Sequence, residues 1–169
     1  MKVFLVGFMG SGKSSLGTKL AARLDLSFID LDVLIETQEN QTISQIFSQK
    51  GEGYFREMEQ KCLFSLSAEV NTVVSLGGGA ACNDAGWNFI KENGLVIYVK
   101  ESPEILFGRL RKLKSNRPLI SALNDEQLKA FIEEKLKERS LFYEKADFIY
   151  EKEKSSYAFL VSQIENYLR

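Results

Sequence analysis

Gly7-Phe8-Met9-Gly10-Ser11-Gly12-Lys13-Ser14 satisfies the pattern G-x-x-x-x-G-K-[ST] at every fixed position. An apolar run, residues 3–6, precedes it and reads as a strand. Leu16, Leu20 and Leu24 follow at helical spacing, so a helix is expected to begin near Gly12 or Lys13. A chance glycine-rich turn would lack this strand–loop–helix setting. Glycines let the backbone curl so that successive N–H groups point inward at phosphate oxygens. The helix start adds the positive end of a dipole. Lys13 is expected to reach the β- and γ-phosphates of a nucleoside triphosphate, and Ser14 to ligate Mg²⁺.

Outward from this loop, strands alternate with helices. Further strands are expected at residues 28–30, 72–76, 95–99 and 147–150. Thr42 and Gln45 form a capping box for a helix over residues 42–50, and a second helix follows over residues 52–68. Ser102 caps a helix with Pro103 at its first position, and Asn124 caps a long helix. The last helix carries Tyr157, Leu160, Val161, Ile164 and Leu168. This order predicts an α/β fold with a parallel sheet and helices on both faces. The chain has 169 residues, which suits one domain, residues 1–169. Residues 112–124 are the least regular stretch. Arg117-Pro118 blocks a continuous helix there, so a mobile lid is expected.

Composition narrows the chemistry. Net charge is −1, against the strongly basic balance of a nucleic-acid binder. The apolar stretches are strand-sized, so no membrane span or signal peptide is expected. The two cysteines, Cys62 and Cys82, fit no metal spacing, and reduced thiols in a cytoplasmic protein are the default. The chain contains no histidine, so acid–base work falls to Asp, Glu, Lys or Tyr. The guanine-reading Asn-Lys-x-Asp of common GTPases is missing, and the chain is short for most ATPase machines. The size favours a small-molecule kinase.

The acceptor side rests on three features. Asp30-x-Asp32 follows the second strand, where ligands of α/β sheets collect. One carboxylate can serve Mg²⁺ through water and the other orient a hydroxyl, although Asp32 can equally cap the next helix. Gly77-Gly78-Gly79 follows the third strand and allows close approach to bare backbone, where a simple turn would need one glycine. Arg56 borders an apolar stripe with Glu59 one turn away, and Arg139 is in phase with Leu128, Ile132 and Leu136. A charge on an inward stripe is costly unless it is paired or lines a site. Guanidinium groups beside a phosphate loop suit a carboxylate-bearing acceptor.

In order, the loop from Gly7 to Ser14, Asp30-x-Asp32, Phe55-Arg56-x-x-Glu59, Gly77-Gly78-Gly79, Arg117-Pro118-Leu119 and Arg139 resemble shikimate kinase across nearly the whole chain. The resemblance implies a P-loop fold of the nucleoside-monophosphate-kinase type, with a five-stranded parallel sheet. It implies transfer of the ATP γ-phosphate to the 3-hydroxyl of shikimate, in aromatic amino acid biosynthesis. It implies ATP contacts from Gly10, Ser11, Gly12, Lys13, Ser14, Ser15 and Arg117. Either Arg109 or Arg111 packs on adenine. Asp32, Phe55, Arg56, Glu59, Gly77, Gly78, Gly79 and Arg139 form the shikimate site, with Arg56 and Arg139 on its carboxylate. Ser14 and Asp30 serve Mg²⁺. Lys13 and Arg117 stabilise the transferring phosphoryl group, and Asp32 is the candidate base. An Asp near its ordinary pKa of about 4 is a weak base, so alignment is expected to outweigh deprotonation. A monomer acting on two small molecules is expected. The competing readings are another metabolite kinase, such as a gluconate kinase, and a non-catalytic nucleotide-binding protein.

Overall fold

β1, Lys2–Val6, runs through the middle of the molecule with β3, Thr72–Ser75, on one side and β4, Leu95–Lys100, on the other. β2, Ser27–Asp30, and β5, Phe148–Glu151, complete a five-stranded sheet in the order β2-β3-β1-β4-β5, every pair parallel. The structure is a computed structural model and describes residues 1–167. The inner strands read as unbroken apolar runs because both of their faces are covered. Phe4, Val6, Val74, Val96 and Tyr98 pack on one side against α2, Leu31–Glu39, α3, Ile43–Ser65, and α4, Asp84–Asn93. Val3, Leu5, Val73, Leu95, Ile97 and Val99 pack on the other against α1, Lys13–Leu24, and α7, Tyr157–Tyr167.

A third cluster joins α5, Pro103–Leu113, to α6, Asp125–Tyr143. Leu106, Leu110, Ile120, Leu128 and Ile132 surround Phe8 there. Phe8 belongs to the phosphate loop, so the loop is wedged into a core rather than draped over the surface.

The expected strands, the capping box at Thr42 and the caps at Ser102 and Asn124 are present, and Asn124 forms a capping box with Gln127 as well. The break expected between residues 50 and 52 is a kink inside α3, at Gly51 with φ 82°. Two helices escaped the sequence reading, α2 and α4. The cap of α2 is Asp30, which accepts from the Asp32 N–H, so Asp32 is not the cap. Residues 112–124 hold the end of α5, a 3-10 turn at Lys114–Asn116 and further turns. Lys114 Nζ donates to the Leu123 carbonyl, closing the segment on itself, and Ile120 between them is buried in the third cluster. Leu168, expected on the last helix, lies outside the described residues. Among the described residues, no helix is long and apolar enough to cross a membrane.

Candidate active site

The phosphate loop leaves β1 at Gly7, where a Cβ would sit 2.6 Å from the Val99 carbonyl oxygen. Only glycine fits so close to a neighbouring strand. Gly12 caps α1 with no side-chain hydrogen bond, which leaves the first N–H groups of the helix open to an anion. Lys13 is buried, and its Nζ donates to the Gly7 and Phe8 carbonyls at 2.9 and 2.8 Å. Burial lowers its pKa to about 8. Two backbone carbonyls are a weak substitute for an anionic partner, so the ammonium is poised for a phosphate.

Three hollows meet at this loop. The first, about 490 Å³, is lined by Gly10, Ser11, Gly12, Ser15, Glu101, Arg109 and Tyr157. Arg109 donates to the Gly10 carbonyl at 2.9 Å and pairs with Glu101 at 2.8 Å. Arg111 instead pairs with Asp125 at 2.9 Å, with its side chain 61% exposed and outside this hollow. Of the two arginines, Arg109 is the one beside the phosphate loop. Glu101 was missed in the sequence, where an acidic residue after a strand carries no distinguishing signal.

The second hollow, about 200 Å³, brings together Lys13, Ser14, Asp30, Asp32, Ser75 and Arg117. Ser14 Oγ donates to Asp30 Oδ2 at 2.5 Å. A hydroxyl and a carboxylate oxygen beside a phosphate cradle are the donor set a hard cation such as Mg²⁺ takes, with phosphate and water oxygens completing the shell. Asp32 departs from expectation. Burial first, and the neighbouring Asp30 second, raise its pKa. It is therefore a better proton acceptor than an Asp at its ordinary value.

The third hollow, about 360 Å³, is walled by Asp32, Phe55, Arg56, Glu59, Gly77, Gly78, Gly79, Arg117 and Arg139. All eight residues expected at the acceptor are in that wall. Arg56 Nη1 donates to Glu59 Oε2 at 2.8 Å, and Nη2 to Glu52 at 3.2 Å. Glu59 is 2% exposed, and burial raises its pKa, with Arg56 working in the opposite direction. Arg139 is 8% exposed, and its Nη1 finds no protein acceptor among the described residues. Its guanidinium lies over the Phe8 ring, 5.3 Å from the centroid. A buried guanidinium nitrogen that lacks an acceptor and borders a hollow is suited to meet an anion there.

Each glycine of the triplet faces one of these charged groups. A Cβ on Gly77 would stand 2.5 Å from Glu59 Oε1 and 2.9 Å from Asp32 Oδ1. On Gly78 it would stand 2.9 Å from Arg139 Nη1, and on Gly79 3.0 Å from Arg56 Nη1. The triplet is thus the floor on which the acceptor-site charges rest. The opposite wall is apolar, from Val33, Ile43, Phe47 and Leu119. Val33 sits on α2, which the sequence did not reveal. Ile43 and Phe47 sit on a helix that was expected but had no visible link to the site.

The family model for shikimate kinase matches residues 9–169. A shikimate kinase from Parabacteroides distasonis is 42% identical over 153 residues, covering 90% of this chain and 88% of that one. The crystal structure of shikimate kinase from Bacteroides thetaiotaomicron superposes with a TM-score of 0.86 at 34% identity, covering 99% of this chain and 98% of that one. The Acinetobacter baumannii enzyme in complex with shikimate gives a TM-score of 0.86 at 33% identity, covering 99% of this chain and 92% of that one. With this fold, these three hollows and these relatives, the chain belongs to the shikimate kinase family.

Proposed function

We propose that this chain transfers the γ-phosphate of ATP to the 3-hydroxyl of shikimate, giving shikimate 3-phosphate and ADP. The observation that carries the reading is the meeting of a triphosphate cradle and an acceptor hollow at Asp32, Gly77, Gly78 and Arg117. ATP lies along the loop from Gly10 to Ser15, with Arg109 against the base. The shikimate carboxylate takes the two guanidinium groups, Arg56 held by Glu59 and Arg139 with its Nη1 free of any protein acceptor among the described residues. That orientation turns the ring hydroxyls toward Asp32. Asp32 holds the 3-hydroxyl in line and takes its proton as oxygen bonds to the γ-phosphorus and the bond to the ADP oxygen breaks. Lys13 and Arg117 take up charge on the transferring group, where fixed cations in a dry site act most strongly. Triphosphate charge beside Lys13 restores the proton that burial loosens. Mg²⁺, held by Ser14 and by Asp30 through water, would neutralise phosphate charge when bound.

Residues 112–124 act as the lid over this site, carrying Arg117, and closure excludes water from the transfer. The working unit is a monomeric cytoplasmic enzyme with two small-molecule substrates and no nucleic-acid or membrane partner. The near-neutral charge of −1 and the two free thiols support that setting.

A coupled ADP assay tests the reading. ADP is expected to form only when ATP, Mg²⁺ and shikimate are all present. Turnover with gluconate or a nucleotide in place of shikimate would point to another acceptor. ATP binding with no acceptor-dependent turnover would leave a non-catalytic binder.

A further inference from the structure

Helix α6 touches the glycine triplet at two points one helical turn apart. Arg139 Nη1 lies where a Gly78 side chain would start, 2.9 Å from the place of a Cβ. Tyr143, four residues on, donates its hydroxyl to the Gly78 carbonyl. Cys82 Sγ approaches the same carbonyl at 3.6 Å, a weak second donor. Tyr143 is 1% exposed, and its ring packs on Tyr98 with centroids 5.0 Å apart. The ring is explained by that packing. The hydroxyl is not, because a phenylalanine would fill the same core without a buried polar group to satisfy.

The carbonyl it holds belongs to the peptide plane between Gly78 and Gly79. In a trans peptide the C=O and the following N–H point in opposite directions. Fixing the Gly78 oxygen on the Tyr143 hydroxyl therefore fixes the Gly79 N–H on the opposite edge of the peptide, away from that hydroxyl. The preceding plane is also set, because the Ala80 N–H donates to the Gly77 carbonyl at 3.2 Å. Neither the Gly78 nor the Gly79 N–H donates a hydrogen bond to protein within the described residues. Both residues line the acceptor hollow. Three consecutive glycines resist rotation poorly, since each visits both signs of φ at little cost. A tether is needed if their N–H groups are to hold one direction.

We propose that Tyr143 is a positioning residue for the acceptor. Through its hydroxyl it orients the Gly78–Gly79 peptide so that the glycine N–H donors face the acceptor hollow. The inference rests on the shikimate-binding reading above and adds to it a residue that does not touch substrate. Burial raises the pKa of the phenol well above its usual value, so the hydroxyl stays a donor throughout the working range. The ring stack on Tyr98 keeps it at one height above the triplet. No side chain in the triplet could do the same, because there is none.

Tyr143→Phe keeps the ring and removes the donor. KM for shikimate is expected to rise about tenfold, the equivalent of one lost orienting hydrogen bond. KM for ATP is expected to stay within about twofold, since the hydroxyl bonds to nothing in the nucleotide hollow. Replacing Tyr143 with p-aminophenylalanine restores a donor at the same point, and the shikimate KM is expected to return to within about threefold of the parent value. Tyr98→Phe removes the neighbouring hydroxyl, which does not reach Gly78, and leaves both constants unchanged. An unchanged shikimate KM in Tyr143→Phe overturns the proposal. So does a parallel rise in both KM values, or a p-aminophenylalanine protein that folds without recovering acceptor affinity. If the parent protein itself shows no shikimate-dependent turnover, the functional reading has failed, which is a separate result.

Discussion

Ser14 Oγ stands 2.5 Å from Asp30 Oδ2, while the other oxygen of that carboxylate accepts from the Asp32 N–H at 3.1 Å. One side chain thus starts α2 with one oxygen and faces the phosphate loop with the other. Asp30→Asn separates the two tasks, because asparagine caps a helix as well as aspartate does. The fold is expected to survive. The Mg²⁺ concentration for half-maximal turnover is expected to rise roughly 10- to 100-fold, as for loss of an outer-shell metal partner. Activity measured across a Mg²⁺ titration checks this, and an unchanged midpoint would remove Asp30 from the metal site.

Lys13 and Arg139 are both buried cations, but they face different substrates. Lys13→Ala is expected to abolish turnover while shikimate still binds. Arg139→Met is expected to weaken shikimate binding by at least about 30-fold, from loss of a charged partner worth about 2 kcal/mol or more. The same change replaces a buried charge, one of whose nitrogens has no acceptor among the described residues, with an apolar side chain, so thermal stability should hold or rise. Isothermal titration with shikimate and a melting curve read the two effects independently. Full affinity in Arg139→Met would end its role as a carboxylate ligand.

The raised pKa of Glu59 has a pH signature. Its carboxylate clamps Arg56 only while ionised, and burial brings its protonation above the ordinary carboxylate range. Shikimate KM should therefore rise on acidification before the exposed carboxylates titrate. Stability moves in the other direction. A carboxyl whose folded pKa is raised stabilises the fold below its unfolded pKa and loses that contribution as pH climbs through the folded one. At neutral pH the charged Glu59 thus costs stability. Glu59→Gln is expected to raise shikimate KM, flatten its acid limb and leave the melting temperature equal or higher. A pH series of KM for both proteins, with melting curves at neutral pH, checks all three.

The glycine floor gives a graded series. Gly77→Ala drives a methyl against two carboxylates, at 2.5 Å from Glu59 and 2.9 Å from Asp32. Gly79→Ala meets one flexible guanidinium at 3.0 Å. Shikimate affinity is expected to fall by a larger factor in Gly77→Ala than in Gly79→Ala, with ATP affinity retained in both. Equal losses for the two substrates would mean that the substitutions disturb the fold rather than the floor.

The phosphate loop could be read from the sequence because its geometry is local, with glycines, lysine and serine fixed by one turn of chain. Arg56 and Arg139 could be read because charge on an apolar helical stripe demands a partner. The missing helices had no such signal. Asp30 closes β2 and caps α2 with no residue between strand and helix, so the sequence offered Asp32 as a helix cap but gave no bounds for the helix. α4 carries Gly86 near its start and has a short stripe of Trp87 and Ile90. The choice between Arg109 and Arg111 needed three dimensions, because residues two apart point to different sides of a helix. Tyr143 looked like any core aromatic, since the partner of its hydroxyl is a backbone oxygen 65 positions away.

The kink in α3 divides the acceptor hollow along a seam. Ile43 and Phe47 stand before Gly51, while Phe55, Arg56 and Glu59 stand after it. A Cβ on Gly51 would meet nothing within 4 Å, so it is the backbone conformation, not crowding, that keeps glycine there. The two halves of α3 are joined at that turn and also touch across it, the Phe47 ring lying 4.9 Å from that of Phe55. Phe47 packs on Phe55, whose ring lies 5.2 Å from the Arg56 guanidinium, so re-cutting the pocket at Phe47 for bulkier or slimmer hydroxy acids is felt at the carboxylate grip, and the three residues are to be redesigned as a set.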